Sequence, residues 1–240
     1  MRAAVIDLGT NTFHLIIADI SASDVHIIYK TNVPVRLGQG RINENIIIPE
    51  AFNRGIETLK TFKQEIEKHQ VQQTLAIATS AVRSAANGSD FVEAAKQQAG
   101  IHIEVVDGNK EAEYIYKGVK ATGVINGTSL IMDIGGGSTE FIICDHQKLL
   151  WKKSYNIGAA RLMQAYFNSD PISEQDKTAI INHLDNELAD LKQACASFKP
   201  DHLVGSAGAF ETFACMILKE TDIKDIKSAP IEITAYTALS

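Results

Sequence analysis

Residues 5–19, VIDLGTNTFHLIIAD, lie over residues 131–145, IMDIGGGSTEFIICD, without a gap at an offset of 126. Asp7 meets Asp133, Gly9 meets Gly135, Thr12 meets Ser138, Ile16 meets Ile142 and Asp19 meets Asp145. Strands share hydrophobic patterns often; matched aspartate, glycine and hydroxyl positions inside the pattern are far rarer. Each copy reads as strand, tight turn, strand, with turn residues suited to φ > 0 and to close backbone approach. Successive turn amides can form an anion-binding nest, a common way of holding phosphate. Two such hairpins facing each other would clamp a phosphate chain from both sides. An aspartate closing each apolar run is costly to bury unless a cation lies opposite, so both aspartates are expected to face one metal–phosphate site.

Between and after the hairpins, strand and helix patterns alternate, which implies α/β lobes with partly parallel sheets. In the first lobe VHIIYKTNV predicts a third strand, 49–68 a helix, TLAIATS a buried strand and AVRSAANGS a polar loop. A helix with a capping box at Asp90 and Glu93 follows, then the strand IHIEVVD and a helix capped by Asn109. The second lobe repeats the hairpin, adds helices across about 158–167 and 173–195, and continues through HLVGSAG into another helix. The expected division is 1–124 and 125–240.

Composition sets the limits. The chain has 240 residues, 45% hydrophobic, with a formal charge of −6. Such a balance argues against a general nucleic-acid binder, whose affinity comes from clustered Lys and Arg. Cys144, Cys195 and Cys215 form no CxxC and are odd in number, which suggests core thiols in a reducing cytoplasm rather than a disulfide framework. The seven histidines show no HExxH spacing, and polar residues break the N-terminal apolar stretch, so neither a histidine metal site nor a membrane span is expected. The absence of GxxxxGK[ST] counts against a P-loop enzyme.

Several side chains could carry chemistry. Ser138, Glu140 and Ile142 share one face of the second copy's return strand. With Asp133 they would offer oxygen ligands suited to Mg²⁺ beside a phosphate nest, although a turn-forming aspartate and a solvated strand glutamate fit the same residues. Glu111 lies in the first turn of its helix, where the helix dipole favours any carboxylate, and Glu113 competes with it. Arg83 follows a buried strand, where α/β proteins present ligand contacts, yet it could equally be a solvated loop residue. Arg36, Arg41 and Arg161 are further candidates for meeting phosphate.

Together, AAVIDLGTNTFHLII, VRLGQG, ATSAVRSAAN, DGNKEAEYIYKGV, IMDIGGGSTEF and NIGAARL occur in one order from residue 3 to about 162. In that order they resemble the exopolyphosphatase and guanosine pentaphosphate phosphohydrolase family, within the actin, sugar-kinase and heat-shock-protein superfamily. The resemblance implies two ribonuclease H-like lobes, related by duplication, with a phosphate cleft between them. It implies Mg²⁺-dependent hydrolysis of a terminal phosphoryl group of polyphosphate or guanosine pentaphosphate, in the cytoplasm, with no nucleic-acid or membrane partner and with a homodimer as the expected assembly. Glu111 matches the family's catalytic base, and Asp133 and Glu140 its magnesium-associated acids, with Asp7 as a further metal-side carboxylate. Gly9, Thr10 and Asn11, and Gly135, Gly136, Gly137 and Ser138, match its phosphate loops, and Arg83 matches a phosphate-contacting arginine. Ala209 in GSAGAFE departs from a position that usually carries a hydroxyl, and the sequence stops at IEITAYTALS where the family continues, as a truncated chain would. A small-molecule kinase using ATP and a non-catalytic alarmone sensor are the alternative readings.

Overall fold

Ala4, Ile6 and Leu8 alternate with Ala3, Val5 and Asp7, and this two-residue period decides which face of the first strand is core. The computed structural model describes residues 1–22, 24–218 and 228–238. In it β1 (Arg2–Leu8) pairs antiparallel with β2 (Phe13–Ile20), with Asp7 opposite His14, and β3 (Val25–Val33) extends the hairpin. Helix α1 (Pro49–Lys68) begins with proline in its first turn, where the missing N–H costs nothing. It lays Ala51, Ile56, Leu59, Phe62 and Ile66 onto the Ile6, Leu8 and Leu15 face of the sheet. β4 (Gln73–Ala78) then runs parallel to β1.

The predicted polar loop after β4 contains a short helix, α2 (Ser80–Ser84), so Arg83 stands on a helical turn. Helix α3 (Gly88–Ala94) starts at Asn87 rather than at Asp90 and widens into a π turn over Ala95–Ala99. Asn87 exchanges side-chain hydrogen bonds with the Ile47 backbone, a long-range contact invisible to a local capping rule. β5 (Ile103–Val105) completes the order β3-β2-β1-β4-β5.

Helix α4 (Gly108–Thr122) is capped by Asp107, whose carboxylate accepts from the Lys110 amide at 2.8 Å, in place of the expected Asn109. It leaves the first sheet and docks on the second, where Ala112 is fully buried with Ile131, Ile142 and Cys144. That sheet comprises β6 (Ser129–Ile134), β7 (Thr139–Cys144), β8 (Leu149–Tyr155) and β9 (His202–Ser206), ordered β8-β7-β6-β9. β6 and β7 pair antiparallel with Asp133 opposite Glu140, and β6 and β9 pair parallel, so the sequence repeat is a repeat of strand order and register. The repeat is not one of cover: α4 buries Ile131 completely, whereas its counterpart Val5 remains 44% exposed.

Helices α5 (Ala159–Tyr166), α6 (Glu174–Glu187) and α7 (Ala189–Phe198) follow β8. The predicted single helix over 173–195 is thus two, joined at Leu188, with Leu184, Leu188 and Leu191 packed on Phe141 and Tyr155 of the sheet's other face. Helices α8 (Ala207–Ile217) and α9 (Ile233–Thr237) complete the described elements. Cys144 is a buried core thiol as expected, while Cys215 on α8 is exposed. Among the described residues no helix is long and apolar enough to cross a membrane.

Candidate active site

The two glycine turns are built alike. Gly9 donates its amide to the Thr12 carbonyl at 3.2 Å, and Gly135 donates to Ser138 at 3.0 Å, closing each hairpin. Five further turn carbonyls are tied back. Those of Thr10 and Asn11 accept from Gly38 and Arg36 in the VRLGQG loop, at 3.1 and 2.7 Å. Those of Gly135 and Gly136 accept from Ala159 and Ala160 at the start of α5, at 2.9 and 2.8 Å, and that of Gly137 accepts from Arg161 Nε at 3.0 Å. By contrast, the amides of Thr10, Asn11, Gly136, Gly137 and Ser138 donate to no group among the described residues. Two turns with spent carbonyls and unspent amides are suited to anions and to little else.

Close approach, not backbone conformation, is what these glycines supply, since none of Gly9, Gly135, Gly136 and Gly137 has positive φ. A Cβ at Gly136 would lie 3.0 Å from Thr10 Cβ, and one at Gly137 would lie 2.8 Å from Thr10 Oγ1. The turns of the two lobes therefore meet at contact distance. Gly158 plays the same part behind them, because a Cβ there would lie 2.5 Å from the Gly136 and Gly137 backbone.

Docking of α4 across the cleft brings Glu111 to this point. Its neighbour Ala112 is anchored against Ile131 and Ile142, which places the first turn of α4 beside the ends of β6 and β7. Gly108 permits the approach: a Cβ there would lie 2.4 Å from Ser154 Cβ on β8. Arg83 Nη1 donates to Glu111 Oε2 at 2.9 Å and to the Val106 carbonyl at 3.0 Å, and no hydrogen bond among the described residues engages Glu111 Oε1. Glu140 is 1% exposed and accepts from Ser154 Oγ at 2.6 Å. Ser154 was not singled out from sequence, although it stands directly opposite Glu140 in the β7–β8 register. Extending the alternation of the hairpin by one more strand would have found it.

Four carboxylates thus share the cleft. Burial, and then the charge of Glu111, pushes Glu140 up to about 8. Asp7 keeps solvent contact along the cleft, yet the protein packed round its carboxyl, followed by the charge of Asp133, raises it to about 6. Asp133 is raised by burial and partly relieved by the Ser206 hydroxyl, its neighbour in the sheet. Burial raises Glu111 as well, against the pull of Arg83. Burial is the first cause of every one of these shifts, and repulsion between the carboxylates adds to it at Asp7, Glu111 and Glu140.

This donor set of carboxylate and hydroxyl oxygens suits a hard divalent cation. No cluster of three or more His, Cys, Asp or Glu side chains placed to hold a metal ion occurs among the described residues. Mg²⁺ does not need one, because it commonly takes one or two protein carboxylates and completes its shell with phosphate and water.

The raised carboxyls have a consequence for stability. Asp7 and Glu140 bind protons more tightly folded than unfolded, so folding takes up protons between their ordinary range near pH 4 and the raised values. Their favourable contribution is complete below about pH 4 and is lost as pH rises through about 6 for Asp7 and about 8 for Glu140. The Tm of the protein in EDTA is therefore expected to fall between pH 5 and 8.5, and Mg²⁺ to flatten the fall. A Tm that rises over that window in EDTA would contradict the electrostatic picture.

The other candidate arginines stand in three different settings. Arg161 is buried and uses its guanidinium as a clasp between lobes, donating to the carbonyls of Gly137 and Ile42, to Asn43 and Asn45 Oδ1, and to Ser84 Oγ. Arg41 pairs with Glu44 on the surface, and Arg36 is exposed. Ala209 lies in the first turn of α8, three residues beyond Ser206.

The model of the Ppx/GppA phosphatase family matches residues 16–234. A guanosine-5'-triphosphate,3'-diphosphate pyrophosphatase of Pseudoalteromonas translucida is 38% identical over 178 residues, which are 74% of this chain and 36% of that protein. A putative exopolyphosphatase of Haemophilus influenzae is 29% identical over 219 residues, covering 91% of this chain and 68% of its own. This chain therefore spans only about a third of the first relative's length. The crystal structure of an exopolyphosphatase from Cytophaga hutchinsonii superposes on all of this chain and 78% of its own, with a TM-score of 0.96 and 37% identity. The paired sheets are those of the two-lobed actin-like ATPase fold, as the resemblance implied. With the family model covering most of the sequence and the glycine turns repeated in space as in sequence, the chain belongs to the Ppx/GppA phosphatase family.

Proposed function

We propose that this chain hydrolyses the terminal phosphoryl group of linear polyphosphate, of guanosine pentaphosphate, or of both, in the cytoplasm. The observation that carries the reading is the pair of turns with spent carbonyls and free amides, set beside a half-buried Glu111 whose Oε1 has no hydrogen-bond partner among the described residues. The free amides from Thr10 to Asn11 and from Gly136 to Ser138 hold nonbridging oxygens of the terminal phosphoryl group. Glu111 Oε1 accepts a proton from the attacking water, while Arg83 on Oε2 fixes the carboxylate and favours its charged form against the cost of burial. Asp133 and Glu140, with Asp7 nearby, would hold Mg²⁺. When bound, the ion supplies positive charge to the phosphoryl oxygens and the leaving chain. Phosphoryl transfer asks mainly for positioning and charge, and these groups provide both.

The test is phosphate release from long-chain polyphosphate and from guanosine pentaphosphate, each with Mg²⁺ and with EDTA. The expected result is release with Mg²⁺, abolished by EDTA, and the faster substrate identifies the preference. ADP formation from ATP that requires a hydroxyl acceptor would instead identify a kinase. Tight alarmone binding with no release would identify a sensor.

A further inference from the structure

Ser80 stands at the junction of the two turns and takes no part in the site described so far. It is 1% exposed, and its Oγ is buried with no hydrogen-bond partner, the one side-chain atom in that state among the described residues. Buried hydroxyls are nearly always paired, so a lone one marks a missing group.

Its surroundings say which kind. A Cβ at Gly137 would lie 2.5 Å from Ser80 Oγ and 2.8 Å from Thr10 Oγ1, so both hydroxyls converge on the Gly137 backbone. The carbonyls there are engaged: Gly137 by Arg161 Nε and Thr10 by the Gly38 amide. Ser84 Oγ, one turn along α2, already donates to the Ser80 carbonyl at 2.8 Å and accepts from Arg161. What remains beside Ser80 is the unspent Gly137 amide and the Thr10 hydroxyl. No carbonyl or carboxylate among the described residues accepts from Ser80 Oγ, so an acceptor brought by a ligand fits there.

We propose that Ser80 is a substrate-contacting residue whose hydroxyl donates to a nonbridging oxygen of the phosphoryl group held between the turns. This rests on the phosphoanhydride reading above and adds a residue to it. Ser80 and Arg83 are three apart on α2 and so lie on one side of it. A phosphoryl group on Ser80 is therefore flanked by the Arg83–Glu111 pair. The Gly137 backbone covers Ser80 closely, a Cβ there lying 2.5 Å from its Oγ, so a phosphate oxygen reaches the hydroxyl on a small shift of the second turn, of the kind two-lobed clefts make.

The experiment is calorimetric titration of inorganic tripolyphosphate with Mg²⁺ into Glu111→Gln protein, which suppresses turnover, with and without Ser80→Ala. Thermal melts of both ligand-free proteins accompany it. The expected result is about tenfold or weaker binding with Ser80→Ala, and a ligand-free Tm equal to or above that of the parent, because an unpaired buried hydroxyl has been removed. Equal affinity in the two proteins would overturn the role of Ser80 and leave the phosphate site standing. A loss of affinity matched by a lowered ligand-free Tm would overturn it too, as a packing effect. If the Glu111→Gln parent binds no tripolyphosphate at all, the phosphoanhydride reading fails and Ser80's role fails with it.

Discussion

Glu111→Gln is expected to lower phosphate release by about 100-fold to 10,000-fold, the range a positioned general base contributes. The substitution keeps the shape of the side chain, and its amide oxygen can still accept from Arg83, so the fold and the Arg83 contact to Val106 should persist. What disappears is the proton-accepting charge. Affinity for tripolyphosphate should change little or rise, because removal of one negative charge relieves the repulsion that adds to burial in raising Glu140. Separate measurement of kcat and of binding therefore distinguishes a base from a binding residue. A variant with weakened binding and unchanged kcat would place Glu111 in the wrong role.

Arg161→Met is expected to damage stability and phosphate binding together. The arginine spends its guanidinium donors on the carbonyls of Gly137 and Ile42, the side-chain oxygens of Asn43 and Asn45, and Ser84 Oγ. Methionine fills much of the volume but leaves the two buried carbonyls without this donor, each at a cost of about 1–3 kcal/mol. A combined loss of about 2–5 kcal/mol corresponds to a Tm lower by roughly 5–15 °C for a chain of this size. The Gly137 carbonyl would also be released to turn inward, where it opposes phosphate with a partial negative charge. Tripolyphosphate affinity should accordingly fall even at temperatures where circular dichroism shows a folded chain. An unchanged Tm would mean that the clasp is exchanged for water at little cost.

How much of this could be read from sequence depended on the range of the contact. The repeat at offset 126 was legible because strand alternation and hairpin register are local, and Asp7–His14 and Asp133–Glu140 pair as that register demands. The glycine turns were legible as tight turns between paired strands, although their need for glycine comes from approach between lobes rather than from positive φ. Local rules misplaced caps where a distant partner intervened, as at Asn87, and joined α6 to α7 because the apolar stripe continues through Leu188 while the backbone bends there. The crossing of α4 to the second sheet could not be read, since nothing near Ala112 states which lobe will bury it. Yet that crossing delivers Glu111 to Asp133 and Glu140. Family resemblance supplied Glu111 as a base; the geometry supplies the reason that a carboxylate in an ordinary first helical turn could act as one. Arg161 was misjudged for a related reason, because a buried arginine bonded to carbonyls and a surface arginine awaiting phosphate look the same in sequence.

The central claim is that water, activated by Glu111, attacks a phosphoryl group gripped by the two turns. Hydrolysis of polyphosphate in ¹⁸O-labelled water with Mg²⁺, followed by mass analysis of the product and repeated with Glu111→Gln, tests it directly. The account predicts one solvent oxygen in each orthophosphate released, at a rate that collapses in the variant. Orthophosphate carrying no solvent oxygen, or release at the same rate with Glu111→Gln, would contradict it.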